Sequence, residues 1–472
     1  MKERIKTILL FILVCISISL TQRVWIQLPK EMTNVFEINK TYSASYDLSD
    51  MIAPNKYLLN FGNKNHTLLN DESKHNIWDI SKVILKEVLS SDIIKTEEIS
   101  KDQYLKYQDE RSLVFYFPEK INTYILAKTW DVKKPNNIVD TIPSINDIYI
   151  FLGNGDPFFV FSDGERYIIA YNKSIDNTLL KNELIQVEED KNYNYYYSMR
   201  EKYNVDNDIY FADKIDNLPT VYVSNELTTL EDDQKNELAE VFFSSDINYI
   251  SKIVENNGST IYEFNNKVLK LNVNGTLEYF HPLEEQVLDR NLYISLSTVA
   301  EFIMQKTSSQ KGMYLSSIED INSDDNEGYK LTFNYRIRGI PVLLGNREVG
   351  DYIQIEVFNN HIKSYKQLTR RETEIDLSNI IEPGNMLSYF YVLDNNYDFL
   401  EKKYLIYNNK TKEEIEENIV QEVLSAVDDI SLSYYDPNLK DKNEKLLGVW
   451  AIRMNGKVYA FNAYTGKLVF ER

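Results

Sequence analysis

Lys267-Val268-Leu269-Lys270-Leu271-Asn272-Val273, then Asn274-Gly275, then Thr276-Leu277-Glu278-Tyr279-Phe280 reads as two strands around a turn. Apolar residues recur on both sides of the dipeptide, and Asn-Gly readily accepts the positive φ angles of a type I′ turn. The stretch therefore predicts a β-hairpin turning at 274–275. Immediately after it, Leu292, Leu296, Val299 and Ile303 step by four, three and four, which puts them on one face of a helix over 292–305. Strand signals return at 329–336 and 352–358, and Asn359-Asn360 turns the chain into 361–366. A hairpin, a one-faced helix and more hairpins, without βαβ alternation, point to antiparallel sheets covered by helices.

The same grammar recurs towards both ends. A helix is expected over Thr411–Val427, opened by Thr411 and Glu414 at capping-box spacing and striped with Ile415, Ile419, Val423, Leu424 and Val427. Strands follow at 447–454, after the Asn455-Gly456 turn at 457–462, and after Thr465-Gly466 at 467–470. Nearer the N-terminus, Ile77, Ile80, Val83, Ile84 and Val88 make a helical stripe over 76–90, and three apolar runs between Asp147 and Tyr171 break at Gly153-Asn154-Gly155 and Asp163-Gly164, as in a meander. The Asn- and Tyr-rich stretch 182–217 reads as an excursion or boundary.

Composition bounds the function. Of 472 residues, 52 are Lys or Arg and 72 are Asp or Glu, a formal charge of −20, so nucleic acid is a poor partner for the body. Hydrophobic residues make up 43%, carried by 35 Tyr and 21 Phe, which is too apolar for a disordered chain. Cys15 is the single cysteine and lies in the N-terminal apolar run, so the body has neither a disulfide nor a cysteine-bound metal.

Chemistry is sparse. His66, His75, His281 and His361 fall in separate segments without zinc-site spacing, and there is neither a G-x-S-x-G elbow nor an S-x-x-K accompanied by its partner motifs. Gly153-Asn154-Gly155 lacks the ending of a phosphate loop. The acidic runs Asp206-Asn207-Asp208 and Ser323–Gly328 are not complete calcium loops and read as solvated surface. No catalytic residue, cofactor or metal is expected.

The N-terminus carries more information. Lys2, Arg4 and Lys6 precede an apolar run that reaches Leu28, and about 22 helical residues span roughly 33 Å, enough to cross a bilayer core. The run lacks a small-residue cleavage site, and Val14 before Cys15 together with continued apolarity argues against a lipoprotein signal. An uncleaved anchor is expected, with the basic end in the cytoplasm, the body outside the cell, and Trp25 at the interface. Along that helix Ile8, Ile12, Cys15, Ser19 and Gln22 share a face, and Cys15, Ser19 and Gln22 are the candidate partner-binding residues, since small and polar side chains allow close helix packing in lipid.

With these segments laid out, the chain resembles the YycH family of membrane-anchored regulators of Gram-positive bacteria. The likeness rests on the Ile5-Lys6-Thr7-Ile8-Leu9-Leu10 anchor opening, on Pro54 leading through Tyr57 to Phe61-Gly62, on Asn274-Gly275-Thr276-Leu277-Glu278-Tyr279, and on Gly339-Ile340-Pro341-Val342. The ending 450–470, with Ala463-Tyr464-Thr465-Gly466, is similar to that of the related YycI proteins. The resemblance implies a non-enzymatic accessory regulator of a WalK-like sensor histidine kinase, in the essential two-component system controlling cell-wall metabolism, with a YycI-like accessory protein as second partner. It leaves open whether the kinase is inhibited or activated. An exported, membrane-anchored cell-wall enzyme or ligand-binding protein is the alternative. The expected fold class is α+β: a cytoplasmic tail (1–6), a transmembrane helix (7–28), a stalk (29–50), then extracellular domains over 51–181, 182–285 and 286–472, built from antiparallel sheets packed with helices.

Overall fold

The structure is a computed structural model that describes residues 48–472 apart from 70–73, 192, 208, 213–214, 216–217, 308–311, 324, 346–349, 374–383, 416–417 and 438–443. The expected transmembrane helix and most of the stalk lie outside the described residues. Among the described residues no helix is long and apolar enough to cross a membrane.

Four sheets organise the described residues, and among the described strand pairings only Ile340–Leu344 with Val427–Asp436 is parallel. The first sheet has nine strands in the order 95–99, 167–171, 158–162, 144–151, 112–122, 56–62, 65–68, 196–198 and 210–212. The meander read between 147 and 171 is its centre: strands Ser144–Phe151, Phe158–Ser162 and Tyr167–Tyr171 pair consecutively. Phe159, Phe161 and Ile168 face the core because strand residues alternate between faces. Helix Lys74–Ser90 covers this sheet. Its buried face runs through Ile77, Trp78, Ile84, Leu85, Val88 and Leu89, whereas Val83, placed on the stripe by sequence, is 70% exposed. Val83 is six residues past Ile77, about 240° around the helix, and so points to solvent. Trp78 fixes the helix by meeting Phe115 edge-on at 4.9 Å and Trp130 at 5.9 Å between ring centroids.

The stretch read as an excursion is structured where described. It holds most of helix Thr178–Asp190, strand Tyr196–Ser198, helix Met199–Tyr203 and strand Tyr210–Ala212. The two strands extend the first sheet, so strands on both sides of residue 181 share it. A buried polar chain ties this extension down: His66 Nδ1 donates to Asn60 Oδ1 at 2.7 Å, and Asn60 Nδ2 donates to Ser112 Oγ at 2.8 Å. Burial pushes the imidazole down to about 4, from an ordinary value of 6.5. Its folded value lies below its unfolded one, so the stability it contributes is complete above pH 6.5 and falls as acid protonates the unfolded chain first. Over that interval the loss amounts to about 3 kcal/mol. His66→Gln, which can still donate to Asn60, is expected to flatten that slope; denaturant titrations of both proteins between pH 7 and 4 measure the difference, and identical slopes would contradict it.

The largest of the remaining sheets has eight antiparallel strands in the order 251–254, 260–264, 267–271, 276–280, 361–368, 353–358, 326–334 and 314–323. It joins strands from both sides of residue 285. The hairpin is present, with Leu271 opposite Leu277, but its turn differs from the expected type. Gly275 N donates to Asn272 O and Asn272 N to Thr276 O, and of the central pair only Gly275 has positive φ, at +82°. That is a type I turn closed by a left-handed glycine, the three-residue hairpin loop. Asn455 and Gly456 do both take positive φ, at 52° and 70°, as a type I′ turn requires. Helices Asp232–Phe243 and Leu292–Lys306 cover one face of this sheet, the latter through Leu296, Val299 and Ile303 as expected. The other face is solvated and carries Glu278–Lys366 and Glu319–Lys330 ion pairs.

A six-stranded sheet closes the chain, in the order 336–337, 340–344, 427–436, 447–454, 457–462 and 468–471. The expected helix over Thr411–Val427 is reduced to Ile419–Ser425, and Val427 already belongs to a strand. Glu414 does reach back to Thr411 N at 2.9 Å, and Ile419, Val423, Leu424 and Val427 are all buried. The apolar stripe is right. However, Glu413, Glu414, Glu416 and Glu417 crowd like charge into one turn, which opposes a continuous helix. Helices Tyr389–Asn395 and Tyr397–Asn408 complete this part.

Candidate functional site

A fourth, three-stranded sheet joins the others: Arg370–Glu372, Tyr222–Asn225 and Glu444–Lys445, in that order. Its strands come from distant parts of the chain, and two of their side chains, Arg370 and Glu444, meet Asp436 at the end of strand Val427–Asp436 of the six-stranded sheet, bringing three buried charges together. Arg370 donates Nε to Asp436 Oδ2 and Nη2 to Asp436 Oδ1, each at 2.9 Å, and Nη2 also reaches Glu444. These side chains are 1%, 0% and 3% exposed. The flat guanidinium suits this task because its fork meets one carboxylate bidentately and still reaches a second. Arg371 with Glu226 at 3.0 Å and Arg338 with Glu372 at 2.8 Å extend the charge pairing to the surface.

The hairpin turn docks on the same junction. Asn225 lies against Gly275 and accepts from Leu227 N at 3.1 Å and Thr369 Oγ1 at 3.0 Å, while Thr369 N donates to Gly275 O at 3.2 Å. Beside it is a cavity of about 180 Å³ lined mainly by Leu218, Pro219, Tyr434, Leu447, Gly448 and Tyr464. Tyr434 Oη donates to Pro219 O at 2.7 Å across it; Tyr464 and Thr465, from the Ala463–Gly466 turn singled out in the sequence, line the same cavity. Chemically the junction is a lock: opposite charges are held out of water, and each sheet's position depends on the others.

Residues chosen from sequence are distributed elsewhere. Cys15, Ser19 and Gln22 lie outside the described residues. Asn207, from the first acidic run, has a structural task, since its Nδ2 donates to Leu424 O at 2.6 Å and to Val427 O at 3.2 Å, tying the first sheet's edge to the last sheet. Lys56 with Asp429 bridges the same two sheets. Among the described residues no group of three or more His, Cys, Asp or Glu is placed to hold a metal. Sequence reading missed that His281 and His361, eighty residues apart, meet with ring centroids 4.3 Å apart and planes tilted by 37°. His361 Nε2 lies 2.9 Å from His281 O, and burial with the neighbouring His361 and Lys267 holds the His281 imidazole below its ordinary range.

The arrangement of sheets decides the comparison. A crystal structure of YycH from Bacillus subtilis superposes with a TM-score of 0.55, covering 88% of this chain and 97% of that one, at 14% identity. The chain has the YycH fold. Two further solved structures match with lower TM-scores: an uncharacterized protein from Eubacterium rectale at 0.35, with 13% identity over 59% of this chain and 93% of that one, and the YpeB C-terminal domain from Bacillus megaterium at 0.25, with 12% identity over 52% and 97%. No family model and no curated protein matches the sequence. The YycH likeness spans nearly the whole of the solved chain, so the four-sheet body described above corresponds to it as a unit.

Proposed function

We propose that this chain is a membrane-anchored accessory regulator of a WalK-like sensor histidine kinase, acting by contact rather than catalysis and together with a YycI-like accessory protein. The observation that carries the reading is the YycH fold over 88% of the chain, joined to a basic and then apolar N-terminal segment of spanning length. The body sits outside the cell on its anchor, and the anchor helix packs beside the kinase's own membrane helices through Cys15, Ser19 and Gln22. A helix packed there biases whichever kinase state it fits better.

Replacing Ser19 and Gln22 together with Leu is expected to leave membrane insertion intact and to weaken kinase association. Polar contacts between membrane helices are worth about 0.6–2 kcal/mol, or roughly a 3- to 30-fold change. A membrane two-hybrid assay with matched expression reads this. Association unchanged by the double substitution, yet lost when Leu9 and Leu13 on another face are altered, would assign the contact to the wrong side of the helix.

A further inference from the structure

We propose that strand Ser251–Val254, an edge of the eight-stranded sheet that pairs with no further strand among the described residues, is a docking site for an extended partner segment in which apolar residues alternate with Lys or Arg, added as a ninth strand. All four residues of this edge strand are exposed. It runs in uninterrupted antiparallel register with Thr260–Phe264, and the bond from Glu255 N to Ser259 O fixes the alternation. In that pattern Ser251 and Ile253 turn their amides inward, and Lys252 and Val254 direct N–H and C=O outward, where another strand can take them.

Sheet edges in natural proteins are usually guarded by a bulge, a proline, an outward charge or a covering element. The opposite edge, Tyr314–Ser323, has a bulge between Leu315 and Ser317 and packs against the first sheet's strand Ser112–Asn122. The last sheet's edge, Leu468–Glu471, is likewise irregular, at its partner's Ala460–Phe461 step. Strand Ser251–Val254 shows no such break, and its one lysine is drawn sideways onto Asp232 at 3.4 Å and Asn236 at 3.2 Å.

The two faces beside this edge specify the occupant. On the outer face Ile253 lies opposite Ile261, and Val268 opposite Phe280, with Ile253 48% and Phe280 44% exposed. An incoming strand continues that row with apolar side chains. On the inner face the edge meets the acidic start of helix Asp232–Phe243. Around it Glu231, Asp232, Asp233 and Asp246 are exposed, while Lys235 and Lys252 pair with Asp232; Glu263, opposite Ser251, and Lys270, opposite Ile261, belong to the outer face. Every second side chain of the added strand points towards the inner side, and a cation there meets carboxylates. This inference does not depend on the identity of the membrane partner.

The test uses the full chain in detergent and a labelled peptide, acetyl-Val-Lys-Val-Lys-Val-Lys-amide, with binding read by fluorescence anisotropy. Saturable binding is expected, weakened at least tenfold by Val254→Pro, which removes an outward donor at an edge that tolerates proline. N-methylation of alternate peptide amides should weaken it equally on the unaltered protein, so the result stands even where the proline variant folds poorly. The Val-Glu counterpart should not bind. Equal binding of the N-methylated and parent peptides would overturn the proposal, since charge alone would then explain it. So would dimers that are lost in Val254→Pro without any peptide binding, because they assign the edge to a second copy of this chain.

Discussion

Replacing Arg370 with Met lowers the stability of the folded body by about 3–5 kcal/mol, the usual consequence of removing one partner from a buried ion pair. The substitution keeps an unbranched apolar stem but removes the guanidinium, leaving the carboxylates of Asp436 and Glu444, 0% and 3% exposed, without their cation. Because the three-stranded junction holds strands from 222, 370 and 444 together, the loss is expected as cooperative unfolding rather than local fraying. The compensated protein, Arg370→Met with Asp436→Asn and Glu444→Gln, removes all three charges and should regain most of the deficit, since buried ion triads can be replaced at little net cost. Denaturant unfolding of the three proteins measures this. A single variant within about 1 kcal/mol of the unaltered protein would show that the triad carries little of the junction's stability.

Gly275→Ala is expected to cost about 2–4 kcal/mol, against about 1 kcal/mol for Gly456→Ala, although both glycines sit in hairpin turns with positive φ. At Gly456 a methyl group meets nothing within 4 Å, and the cost is that of the left-handed backbone alone. At Gly275 a Cβ would lie 1.3 Å from Asn225 Nδ2 and 2.1 Å from its Cγ. Asn225 is 4% exposed and accepts from Leu227 N and Thr369 Oγ1, so moving it breaks buried bonds at the junction. Thermal unfolding of the two variants side by side tests the ratio, and equal losses would mean that Asn225 yields freely.

What could be read in the sequence, and what could not, follows the range of the interactions. The 267–280 hairpin, the 292–306 helix and the 144–171 meander are set by neighbours a few residues apart, so their patterns were legible. The turn at 274–275 was read as a hairpin turn but assigned the wrong type. Both turns suit Asn-Gly, and the choice follows from the Asn272–Thr276 pairing and from Asn225, about fifty residues away. Helix 411–427 was overextended because its apolar stripe continues into Val427, whose burial comes from a sheet position rather than a helical one. The junction itself was invisible. Its partners Val223, Glu372 and Glu444 are separated by well over sixty residues, and a single sequence carries no sign of which Arg meets which carboxylate. The His281–His361 contact escaped notice for the same reason. The family resemblance, drawn from short motifs in order along the chain, agrees with the fold because order along the chain is what a shared topology preserves.

The central proposal, a contact regulator of a sensor kinase, meets its most direct test in a crosslinking pull-down from intact membranes, with the full chain as bait and an unrelated single-pass protein as control. Recovery of a sensor histidine kinase with the full chain, reduced when Ser19 and Gln22 are both replaced by Leu, is the expected result. Membranes that contain the kinase but yield none of it with the crosslinked bait, at bait levels matching the control, would contradict the proposal.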